Sequence, residues 1–77
     1  MTTEASLCSV VKQYFEATEV LPETHFERDL DACWLDLLGL FMRVEDEFSV
    51  KIAENDFTSL ETVEQLTAYV KKQLILQ

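Results

Sequence analysis

Seventy-seven residues, 48% of them hydrophobic, with a single Gly and a single Pro, make one small core and exclude a disordered tail or linker. A chain of this length buries roughly 60% of its unfolded surface, which leaves little room for a core and a deep cleft built from several loops, and so argues against a self-sufficient enzyme. Fifteen acidic against six basic residues give a formal net charge of -9, a field that repels nucleic acid and anionic headgroups and suits a basic protein surface.

The two cysteines, Cys8 and Cys33, are too few for a disulfide framework and lack metal-ligand spacing. The first residues carry no basic start followed by an apolar run, and no stretch reaches the length of a membrane span. The expectation is a single domain over residues 1–77, cytoplasmic, with no membrane span.

Along the chain, Leu7, Val10, Val11, Tyr14 and Phe15 recur at i, i+3, i+4, i+7 and i+8, predicting a helix from about Thr3 to Ala17. From Thr18 to Cys33 the period breaks at Leu21-Pro22 and at turn-forming Thr24, Asp29 and Asp31, predicting a long loop whose Val20, Leu21, Phe26 and Leu30 pack down on the core. A second helix, Cys33 to Phe48, places Leu37, Leu40, Phe41, Val44 and Phe48 on one stripe, while Trp34, Leu35, Leu38 and Met42 form a second apolar stripe. Ala53 to Phe57 reads as a short helical turn. Thr62-Val63-Glu64-Gln65 is a capping box opening a last helix with Val63, Leu66, Tyr69, Val70 and Leu74 inward. The fold class is all-α, a small bundle of three main helices and one short one, with a long structured loop after the first helix. Between Glu16 and Glu64 lie fourteen acids against three bases, so the middle of the chain is its electronegative part.

The segment Phe26-Glu27-Arg28-Asp29-Leu30-Asp31-Ala32-Cys33-Trp34-Leu35-Asp36, followed by Val44-Glu45-Asp46-Glu47-Phe48, resembles the acyl carrier protein family pattern Phe-x-x-Asp-Leu-Gly-x-Asp-Ser-Leu-Asp running into a helix that ends in Leu-Glu-x-x-Phe. Leu60-Glu61-Thr62-Val63, with Leu66, Tyr69 and Val70, is similar to that family's last helix. The resemblance covers nearly the whole chain and implies a small helical carrier fold. It also implies an attachment serine for 4'-phosphopantetheine, at the position that Trp34 occupies here, with Cys33 in place of the preceding Asp. An indole has no hydroxyl, so no phosphodiester forms there, and no cofactor is expected at Trp34. Thr58-Ser59-Leu60 superficially resembles the serine motif but lacks the preceding Asp and the chain that should follow. Ser49 lacks the Leu-Asp context, and Ser6 and Ser9 lie within the first helix.

The candidate partner-binding residues are Trp34, Leu35, Asp36, Leu38, Met42, Glu45 and Asp46. Two roles are open for Trp34: an exposed binding anchor, or a ring folded back to cap the bundle. Leu35, Leu38 and Met42 form either an exposed patch or a face buried by a rotated helix. Gly39 and Arg43 replace residues expected in the family's acidic docking face, which is then only half present. Bulky Leu37 and Phe41 suggest that the interior where family members shelter acyl chains is filled.

Cys33 as a thioester site is opposed by Asp29, Asp31 and Asp36, Cys8 reads as a small packing residue, and His25 has no companion ligand. Glu45, Asp46, Glu47, Glu54 and Asp56 read as a solvated acidic face, with a loose divalent-cation site as the alternative, and no metal or catalytic residue is expected. The sequence thus points to a non-catalytic docking module linked to fatty-acid, polyketide or lipid synthesis. Its partner is an enzyme with a basic or apolar docking surface, or a second copy of the chain. The alternative is a working acyl carrier, modified at another residue or holding an acyl ligand without the arm.

Overall fold

A computed structural model describes residues 2–76. Four α-helices, α1 (Thr3–Phe15), α2 (Phe26–Leu30), α3 (Trp34–Phe48) and α4 (Val63–Leu76), are joined by a 3₁₀ helix (Glu54–Ser59) between α3 and α4. Thr2 caps α1, its Oγ1 accepting the Ala5 N–H at 3.1 Å, while Glu4 and Lys12 complement the helix dipole at the two ends. The expected stripe of α1 turns Leu7 and Val11 fully inward and leaves Val10, Tyr14 and Phe15 half-buried against the core, with α1 packed on α3 and α4. In α3, Leu37, Leu40, Phe41 and Val44 are buried. In α4 the buried apolar set is Val63, Leu66 and Val70, with Tyr69 half-buried and Leu74 exposed rather than inward.

The segment predicted as loop holds one more helix than its sequence suggested. His25 is the N-cap of α2, its Nδ1 accepting the Arg28 N–H at 3.1 Å, and the His25 N–H donates to Asp29 Oδ2 at 2.7 Å. These are local side-chain substitutes for a helix's missing bonds, and they support a single turn too short to show a periodic stripe. As expected, the loop packs down: Phe26 is fully buried and Val20 and Leu30 half-buried, although Leu21 stays exposed.

Backbone bonds then tie the loop to the head of α4. The N–H groups of Val63 and Glu64, which have no partner inside the helix, donate to Thr24 O at 3.1 Å and Pro22 O at 2.7 Å, and the Phe26 N–H returns to Glu61 O at 2.9 Å. The predicted capping box is present in both directions, Gln65 N–H to Thr62 Oγ1 and Thr62 N–H to Gln65 Oε1, each at 3.2 Å. The 3₁₀ helix is held through Tyr69, whose hydroxyl donates to Asp56 Oδ2 at 2.9 Å and accepts the Ala53 N–H at 3.2 Å.

Three helices end on non-glycine residues in the left-handed region: Glu16 after α1 (φ 53°), Asp31 after α2 (φ 54°) and Ser49 after α3 (φ 55°). The chain's only glycine, Gly39, does another job. It lies in α3 where the Tyr14 hydroxyl of α1 passes over its bare Cα, so a methyl group there would collide with the phenol.

Asp31→Gly should raise stability in urea denaturation by about 0.5 kcal/mol, since relief of the left-handed penalty exceeds the added flexibility of the unfolded chain. Gly39→Ala should lower it by about 1 kcal/mol although alanine is the better helix former. On a Tyr14→Ala background the same change should instead stabilise.

Candidate functional site

The site grows from the start of α3. Cys33, in extended backbone conformation, is the N-cap, and its N–H donates to Asp36 Oδ2 at 3.0 Å. That fixes Trp34 as the first residue of the helix and turns its ring toward the 3₁₀ helix. The indole and the Phe57 ring lie 6.1 Å apart at 53°. Phe57 in turn meets Phe41 at 4.9 Å, and Phe41 meets Phe26 at 6.3 Å. Four rings from three elements thus run from the surface into the core. Trp34 therefore lies between the two placements left open for it: one side leans on Phe57, yet the residue remains 50% exposed.

Of the other residues singled out, Leu35 (74% exposed) and Met42 (64%) stand in solvent on the same side of α3, and Asp46 is exposed. Leu38 is half-buried against the core, at the margin of that patch. Glu45 is also half-buried, and its Oε2 accepts the Ile52 N–H at 2.8 Å, so this carboxylate fastens the turn after α3. Asp36 is the reciprocal cap just described. The Cys33 N–H, and after it the Cys33 thiol, hold its carboxyl below the ordinary aspartate value. The acids first considered as a loose cation site are dispersed: Glu45 is tied to Ile52, Glu47 is 3.6 Å from Arg43, and Asp56 is bonded to Tyr69. No group of three potential metal ligands occurs among the described residues.

The hydroxyls discussed as alternative attachment points have structural uses or helical settings. Ser59 donates to Asp56 O at 2.8 Å at the end of the 3₁₀ helix, Ser49 ends α3, and Ser6 and Ser9 lie on α1. Cys33 is exposed and Cys8 half-buried, with burial first and Glu4 second pushing the Cys8 thiol up.

Beside Trp34 opens a pocket of about 110 Å³ between the head of α3, α2 and the 3₁₀ helix. Trp34, Leu37 and Phe57 give it apolar walls, and His25, Glu27 and Glu61 lie around them. His25 Nε2 is 3.2 Å from Glu61 Oε2. Sequence reasoning named Trp34 but missed Glu27, Phe57 and Glu61 as its companions. Their meeting depends on contacts such as His25 with Glu61, across thirty-six positions, which no local pattern encodes.

Because the folded-state carboxyl of Asp36 titrates below its unfolded value, its contribution to α3 is complete above the ordinary aspartate range near pH 4 and is lost as pH falls through the lowered value. Amide NMR of the first turn of α3 should show one acid step tracking the Asp36 carboxyl. Asp36→Asn, which keeps an acceptor for Cys33, should abolish that step.

No family model matches the chain. An acyl carrier protein of Helicobacter hepaticus is 37% identical over 71 residues, covering 91% of this chain and 93% of that protein. The solved structure of a proposed acyl carrier protein from Mycobacterium tuberculosis superposes with a TM-score of 0.86 at 21% identity, over 92% of this chain and 97% of that one. No helix among the described residues is long and apolar enough to cross a membrane. With the helix order, the capped head of α3 and a relative matched along nearly its whole length, this chain belongs to the acyl carrier protein family.

Proposed function

We propose that this chain is an armless member of its family, a non-catalytic docking module acting on an enzyme of fatty-acid, polyketide or lipid synthesis in the cytoplasm. The observation that carries the reading is the residue at the head of α3. Family members normally carry 4'-phosphopantetheine on a serine hydroxyl, whereas Trp34 offers only an indole N–H, a donor with no oxygen to phosphorylate. The residues at this position do not fit the prosthetic group.

What remains at the head of α3 is suited to contact. Trp34, Leu35 and Met42 are large, apolar and at least half exposed, with Asp36 and Asp46 on the same helix. Half-exposed tryptophan is a common anchor of protein interfaces, because its ring buries a large area at a small entropic cost. The ring chain Phe26–Phe41–Phe57 occupies the middle of the bundle, which supports a member with no acyl chain to shelter. The surrounding acids favour a basic partner surface and give an encounter rate that falls with salt.

Incubation with a phosphopantetheinyl transferase and coenzyme A, followed by intact-mass measurement, should leave the wild-type mass unchanged. A gain of the arm's mass would overturn the reading and favour a working carrier. Trp34→Ala should weaken capture of the partner by about thirtyfold, the equivalent of about 2 kcal/mol, without loss of helicity.

A further inference from the structure

We infer that the pocket beside Trp34 receives one arginine side chain of a protein partner, its guanidinium stacked on the indole and paired with Glu27 and Glu61. The inference rests on the docking reading and names what the docking site takes. Four properties of the pocket carry it.

Size comes first. About 110 Å³ is well below the roughly 300–1,000 Å³ of pockets that enclose whole small molecules, and suits a single long side chain. Its walls come next. Trp34 and Phe57 present two rings tilted at 53°, with the indole still half open to solvent, which leaves aromatic surface for a cation to lie against.

Charge gives the sign of the occupant. Glu27 and Glu61 both line the pocket, and among the described residues no lysine or arginine of the chain itself does. Arg28, next in sequence to Glu27, is outside the lining, and Arg43 is 3.6 Å from Glu47. A net charge of -9 reinforces the local preference.

Preorganisation is the fourth property. His25 Nδ1 accepts the Arg28 N–H, so its Nε2 faces Glu61 Oε2 at 3.2 Å and holds that carboxylate in place before any partner arrives. Arginine fits better than lysine. Its planar, weakly hydrated guanidinium stacks on an aromatic face while its N–H fork reaches carboxylates, whereas an ammonium is a strongly hydrated point charge. The pocket differs from the acidic outer face of α3: it is concave, aromatic-walled, and built from α2, α3 and the loop before α4 together.

Trp34 is the chain's only tryptophan, so its emission reads the pocket directly. The probe is the capped peptide Gly-Gly-Arg-Gly-Gly, titrated at constant ionic strength against the same peptide with citrulline or lysine in the centre. The arginine peptide should give a saturable change with a Kd of about 1 mM, at least about fivefold tighter than either analogue. The double variant Glu27→Gln, Glu61→Gln, checked for folding by circular dichroism, should lose that preference.

No saturable change, an equal response to citrulline or lysine, or an unaltered preference in the double variant would each overturn the inference. Because the titration needs neither partner nor arm, its failure is separable from failure of the docking reading, which intact mass and partner capture decide.

Discussion

Phe41 sits where three segments that are distant in sequence must meet. Its ring is fully buried, 4.9 Å from Phe57 of the 3₁₀ helix and 6.3 Å from Phe26 of α2. Fully burying one such side chain contributes on the order of 1.5–3 kcal/mol, but here the positional effect is as important as the energetic one. Without a ring at this point the 3₁₀ helix and α2 lose their shared aromatic contact, and the Phe57 ring behind the Trp34 indole loses its own support. The core contact thus sets the geometry of the surface site.

Much of this was legible in the sequence, because helix stripes and caps are local. The α1 stripe, the buried side of α3 and the Thr62–Gln65 box follow from spacings of three and four residues, and each is present. The α2 turn was not legible: it is a single turn capped by a histidine, and histidine is not a residue from which a helix start is ordinarily read. Left-handed helix ends at Glu16, Asp31 and Ser49 were hidden for a related reason, since glycine is the usual marker and none stands there. Asp31 occupies the place where the family pattern has its glycine, so the chain keeps the turn and takes the strain.

The candidate site was legible only as a stripe on one helix. Spacing along α3 grouped Leu38 and Glu45 with Trp34, Leu35 and Met42, but spacing does not say how far the helix is rolled. The roll turns Leu38 partly into the core and Glu45 toward the Ile52 N–H. Gly39 illustrates the same point from inside. Read along the sequence, it is a gap in an acidic docking face. In the fold it is the place where a missing side chain lets Tyr14 of α1 lie against α3. A departure from a family pattern can therefore record a packing requirement.

The backbone tie between the loop and α4 also has a consequence for the order of assembly. The Thr62–Gln65 box closes over three residues, so the head of α4 can begin to form early. The Val63 and Glu64 N–H groups find Thr24 O and Pro22 O only after about forty intervening residues have been brought together. The satisfaction of those two amides therefore depends on long-range closure and not on the helix alone. Lifting the loop breaks these bonds and the burial of Phe26 together, so this end of the bundle opens as one unit, apart from the α1–α4 packing.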